Sequence, residues 1–76
     1  MRADKIRVRI DELCTLFGFT YHGKDGHVDP YSHSEYLLFF DGREQVVHSI
    51  GEVMSTPFFD GHNLAEIADQ ITITEW

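Results

Sequence analysis

Cysteine is almost absent from this 76-residue chain: Cys14 stands alone, beside two prolines and no apolar stretch of membrane-spanning length. One thiol can form neither an intramolecular disulfide nor a cysteine-based zinc site, so the fold has no covalent or thiolate staple and suits a reducing cytoplasm. A membrane helix needs about 20 consecutive apolar residues, and no secretory signal pattern opens the sequence, so a membrane partner is not expected. Positive charge is scarce as well. Six Lys and Arg stand against 13 Asp and Glu, for a net charge of −7.

That scarcity is local. Residues 1–24 hold five Lys or Arg against three acids, a balance of +2, whereas residues 25–76 hold Arg43 alone against ten acids, a balance of −9. Such a surface repels phosphate, which argues against direct nucleic-acid binding, and it attracts a protein with a basic surface. What the chain has in quantity is apolar and aromatic: 42% hydrophobic residues, with six Phe, three Tyr and one Trp. Each ring can bury roughly 150–250 Å², enough to support one folded domain spanning 1–76.

Ile6, Ile10, Leu13, Cys14 and Phe17 recur at helical spacing between Asp4, a candidate N-cap, and Gly18, a candidate terminator. This pattern predicts an N-terminal helix over about 5–17. Ile6, Val8 and Ile10 also alternate as a strand would, but the helix accounts for the apolar positions after Ile10 as well. Arg2, Lys5 and Arg9 then form its wet side. A short strand candidate, Phe19 to His22, follows. The segment 23–34, GKDGHVDPYSHS, reads as a long loop because Gly, Pro, Asp and Ser interrupt every periodicity.

The tetrapeptide Phe-Phe-Asp-Gly occurs twice, at 39–42 and 58–61. Strand-like runs flank the first copy, so Asp41-Gly42 predicts a two-residue hairpin turn between strands at about 35–40 and 43–48. In that register Phe40 faces Arg43, Leu38 faces Gln45, Leu37 faces Val46 and Glu35 faces His48. The run Tyr36 to Phe40 is apolar on both faces, which predicts a cover on each side. Pro57 precedes the second copy and a helix cap follows it, so that copy reads as a link between two helices, with Phe58 and Phe59 pinned to the core. Ser49 with Glu52 and Asn63 with Glu66 have capping-box spacing, which predicts short helices at about 50–55 and 64–70. The tail, ITITEW, alternates as a strand and offers an edge for pairing with a second copy, a homodimer.

The fold class expected is therefore α+β: a small antiparallel sheet of three to four strands around the central hairpin, with one N-terminal and two later helices. The expected core is Ile6, Ile10, Leu13, Phe17, Leu37, Phe39, Val46, Val53, Phe58, Leu64, Ile67 and Ile71.

No signature of catalysis is found. Cys14 sits on an apolar helix face, Gly23 and Gly26 lead into no helix that could cradle phosphate, and His48 beside Glu35 fits an ordinary cross-strand pair. The chain reads as a small acidic, non-enzymatic protein-interaction module without a cofactor, with Asp25, Asp29, Tyr31 and Glu35 as candidate partner-binding residues. In a stronger form of this reading the acids imitate the charge spacing of nucleic acid and occupy a basic protein groove. Tyr36 and Trp76 are further interface candidates, since Tyr and Trp often anchor protein contacts. The alternative is a metal- or small-ligand-binding domain: His22, His27, Asp29 and His33 fall in or beside the 23–34 segment and match the donor types of a tetrahedral zinc site.

Overall fold

A computed structural model describes residues 2–12 and 16–76; Leu13 and Cys14 of the expected helix lie outside the described residues. Helix α1 covers Arg2–Asp11, followed by strands β1 (Phe17–Tyr21), β2 (Lys24–Ser32), β3 (Glu35–Phe40) and β4 (Arg43–Val47). Helices α2 (Ile50–Ser55) and α3 (Leu64–Ile67) come next, and β5 (Thr72–Glu75) ends the order. The architecture is α+β. Five strands form one antiparallel sheet in the order β4-β3-β2-β1-β5, with β4 and β5 as its edges.

The central hairpin pairs as its turn chemistry requires. Asp41 and Gly42 both take positive φ (51° and 82°), and Phe40↔Arg43, Leu38↔Gln45 and Leu37↔Val46 are Cα partners. The ladder ends at Tyr36↔Val47, so Glu35 does not face His48; its partner is Ser32. The second Phe-Phe-Asp-Gly is also a hairpin turn. Asp60 and Gly61 have φ of 60° and 81°, and Phe59 and His62 exchange backbone hydrogen bonds at 2.9 and 3.1 Å around them. One turn chemistry thus serves both copies, once between strands and once between helices.

Segment 23–34 is not a loop but a strand, Lys24–Ser32, between two turns. Its backbone runs as β2, the central strand, paired with β1 on one side and β3 on the other. Two residues that ordinarily break strands have specific accommodation there. A Cβ at Gly26 would lie 2.7 Å from the Phe19 ring and 3.0 Å from Phe40, so only a bare backbone lets the two rings close over the sheet. Pro30 sits where the register with β3 shifts, between Pro30 and Ser32, which is where a residue without an N–H donor is tolerated in a ladder.

All three helices lie against one face of this sheet. On that face Phe17, Phe19, Tyr21, Val28, Tyr36, Leu38, Phe40 and Val47 are buried with Ile6, Ile10, Val53, Met54, Phe59, Leu64, Ile67, Ala68 and Ile71. The expected core had the parity of the hairpin inverted: Leu37 and Phe39 are half-buried, and Val46 is 43% exposed. Tyr36, too, is a core residue and not an interface one. Burial, with the Asp11 carboxylate 3.5 Å from its hydroxyl, raises its phenol pKa above the ordinary value.

Helices α2 and α3 begin where their N-caps place them. Ser49 Oγ accepts from the Glu52 N–H (3.1 Å), while the Glu52 carboxylate accepts from His48 N–H (2.9 Å), one residue before the expected box partner. Asn63 and Glu66 form the complete box, at 2.8 and 3.0 Å. Helix α3 stops at Ile67, three residues early, and 68–70 continue as turns. Helix α1 begins at Arg2 and ends at Asp11, so Phe17 belongs to β1, not to the helix.

Phe59 is the hub of the aromatic core, edge-on to Phe19 (5.5 Å), Phe40 (5.7 Å) and Phe58 (5.5 Å). The two neighbours in the second tetrapeptide therefore differ in weight, since Phe58 is only partly buried and lies under the Arg43 guanidinium. Phe59→Ala is expected to cost about 3–5 kcal/mol in urea denaturation, and Phe58→Ala clearly less. Equal losses would contradict this packing.

Candidate functional site

The face of the sheet opposite the helices is left uncovered by the described residues. Alternation along each strand sends Thr20 of β1, Asp25, His27 and Asp29 of β2, Glu35, Leu37 and Phe39 of β3, and Glu44 and Val46 of β4 to this side; all remain half-buried or exposed. Register places them in two rows. His27, Phe39 and Glu44 are successive neighbours across β2, β3 and β4, and so are Asp29, Leu37 and Val46. With strands about 4.8 Å apart and same-face residues about 7 Å apart along a strand, Leu37, Phe39 and Val46 form one contiguous apolar patch. His27 stacks on Phe39, ring centroids 4.5 Å apart and 7° from parallel.

Carboxylates surround the patch: Asp29 beside Leu37, Glu35 one step along β3, Glu44 beside Phe39, and Asp25 one step from His27. Among the described residues no Lys or Arg shares this face. The two cations of the paired strands turn to the helix side, where Arg43 covers Phe58 at 5.7 Å and Lys24 lies 5.9 Å over Phe40. The sheet thus segregates charge by face, a consequence of parity: Lys24, Gly26 and Val28 share one side of β2, and Asp25, His27 and Asp29 the other.

Three of the four candidate partner residues meet here. Asp25, Asp29 and Glu35 lie on the open face, while Tyr31, 55% exposed, stands at the register shift toward the end of β2. The four candidate metal ligands are spread along the strand. His22 sits in the β1–β2 turn, stacked on Tyr21 at 3.8 Å with Nδ1 3.7 Å from Asp60. His33 sits in the opposite turn, with Nε2 3.0 Å from the Asp11 carbonyl. The strand rise of roughly 3.3 Å per residue separates those two by about 25–30 Å, with His27 and Asp29 between them. Among the described residues no group of three or more His, Cys, Asp or Glu is placed to hold a metal ion. His48 directs Nδ1 to the Ser34 carbonyl, 3.1 Å away, and so forms no cross-strand pair with Glu35.

At one end of the sheet the two tetrapeptides meet. Lys24 donates to both oxygens of Asp60 (3.2 and 3.3 Å) and lies 4.0 Å from Asp41, while beneath it Phe40 packs on Phe59. This clasp fastens the α2–α3 link to the sheet. On the far side of α1 an open groove of about 410 Å³ is lined by Asp4, Lys5, Val8, Arg9, Glu12 and Trp76. Trp76 is 46% exposed, but its charges are mixed and the Arg9 guanidinium is held by the Trp76 carbonyl at 2.7 and 2.9 Å. The open sheet face is the more distinctive surface because it carries one sign of charge around an apolar centre. Among the described residues no helix is long and apolar enough to cross a membrane. No family model matches the chain, and neither a curated protein nor a solved structure matches it.

The Lys24 clasp makes a pH-dependent statement. The hydrogen bond from Lys24 holds the Asp60 carboxyl below its ordinary 3.8, aided by His22 and opposed by desolvation. A depressed carboxyl pKa stabilises the fold above the unfolded value, and that contribution is lost as pH falls through the folded one. Asp60→Asn keeps a residue suited to positive φ and removes the charge. The variant is expected to melt below the wild type at pH 7, and the gap should close as pH falls from about 4 toward 2. A gap of the same size at both ends would show that the ion pair is not its source.

Proposed function

We propose that this chain is a non-enzymatic protein-interaction module, and that the open face of its sheet engages a basic protein surface. One observation carries the reading: an apolar triplet, half-buried Leu37 and Phe39 with exposed Val46, lies under no helix inside a ring of four carboxylates, and among the described residues no Lys or Arg shares the face. A domain of this size gains stability from every apolar side chain it buries, at roughly 25 cal/mol per Å². The apolar area that these three residues leave open stabilises nothing until another surface covers it, and such a patch rimmed by polar groups is the usual mark of an interaction site.

The apolar centre also separates this reading from imitation of nucleic acid. A phosphate backbone presents charge along a hydrated surface, so a mimic needs only carboxylates, whereas this face combines them with a patch that a partner must dry. Carboxylates at the rim speed encounter and select against acidic partners, and the apolar centre supplies the affinity that survives added salt.

Glu44→Lys with Val46→Lys places two cations on the face at positions exposed to solvent, where surface substitutions ordinarily cost within about 0.5 kcal/mol. Affinity capture from the producing cell, with wild type and double variant side by side, is expected to show a partner that the variant loses while melting like the wild type. Equal recovery of the same partners on both would contradict this use of the face.

A further inference from the structure

The kind of partner follows from what the face lacks as well as from what it shows, and the inference rests on the face being a docking surface. Strands β1, β2 and β3 are paired on both sides, so their backbone N–H and C=O groups are taken up within the sheet. A partner lying over Leu37 and Phe39 finds no backbone groups to bond there, the outer rim of edge strand β4 beyond Val46 being the nearest that is free. An extended segment laid across Leu37 and Phe39 would bury peptide groups of its own unpaired, each at its full desolvation cost. A helix brings its backbone already hydrogen-bonded. The opposite face of the same sheet already uses that solution: Ile6 and Ile10, one helical turn apart on α1, are fully buried, with α1 resting on β2.

Charge decides between a second copy and another protein. Two of these faces stacked together would bring Asp25, Asp29, Glu35 and Glu44 against the same four carboxylates with no cation between them. Anionic lipid is repelled by the same ring. A helix with Lys or Arg on either side of its apolar stripe satisfies both parts of the face, the stripe over the triplet and the cations over the rim. We infer that the open sheet face is a receptor for a cationic amphipathic helix of another protein, about three turns long, seated on Leu37, Phe39 and Val46 with its basic flanks against Asp25, Asp29, Glu35 and Glu44. That length follows from the extent of the rim along the strands, from the level of Asp25, beside Asp41, to Glu35, six residues of β3 or about 20 Å, at 1.5 Å of helix per residue.

A synthetic helix-forming peptide of about 14 residues, with Leu at i, i+3, i+4, i+7 and i+11 and Lys between them, is the probe. Titrated into the full chain, it is expected to saturate at one to one, gain helical circular dichroism, and shift the NMR signals of His27, Leu37, Phe39 and Val46. Its affinity should fall at least about tenfold when Glu35 and Glu44 are both changed to Lys, and also between about 50 mM and about 500 mM salt. A scrambled peptide of identical charge and a Glu-for-Lys peptide should leave those four signals in place. Equal binding of the scrambled peptide, shifts confined to α1 and the Trp76 groove, or binding of anionic vesicles through the face would overturn the inference. If the peptide fails while the Glu44→Lys, Val46→Lys variant still loses a captured partner, the helix assignment falls and the docking face stands. If the variant loses nothing, both fall.

Discussion

Register between β2 and β3 is the constraint on which the molecule depends. Val28 lies beside Leu38 and Asp29 beside Leu37, so the alternation of β2, with Gly26 and Val28 on one side and Asp25, His27 and Asp29 on the other, decides which face of the aromatic hairpin is buried. A shift of one residue would carry the acids of β2 into the core and is forbidden by their desolvation. The two-residue turn at Asp41-Gly42 then passes the same phase to β4, where Val47 is buried and Val46 is not.

Two consequences follow from that phase. Helices collect on the side where Phe17, Phe19, Val28, Leu38 and Phe40 project, and Phe59 joins the α2–α3 link to them through edge-on ring contacts. Strand cations turn to the same side, where Lys24 clasps Asp60, and the opposite face keeps carboxylates around an apolar centre. Stability and the acidic open face thus have one origin, since the residues that make that face acidic are those that keep it out of the protein's own core.

Much of this was legible in the residues. The hairpin and its pairing follow from Asp-Gly between apolar runs, α2 and α3 from their capping spacings, and β5 from its alternation. The buried face was not legible from the hairpin alone, because Tyr36 to Phe40 is apolar at every position and either parity satisfies it. The deciding signal lay in segment 24–30, whose alternation was hidden by Gly26 and Pro30. Both residues read as loop chemistry locally, yet Gly26 makes room for the rings of Phe19 and Phe40, and Pro30 stands at a register shift. Reading that segment as a loop leaves Asp25, His22 and His33 exposed, as they are, but it misses that His27 and Asp29 are half-buried on the sheet beside Leu37, Phe39 and Val46, on the same surface. The repeated tetrapeptide shows the converse: identical local chemistry makes identical turns, and only tertiary contacts distinguish Phe58 from Phe59.

The parity of the hairpin is open to direct measurement in the unmodified protein. A soluble paramagnetic relaxation agent broadens the NMR signals of groups that solvent reaches, and Leu37 with Leu38 and Val46 with Val47 provide methyl groups on opposite faces at adjacent positions. The Leu37 and Val46 methyls should broaden strongly while those of Leu38 and Val47 stay sharp. Protection of Leu37 and Val46 at the level of Leu38 and Val47 would mean that the face is covered, and would remove the basis for assigning it a partner.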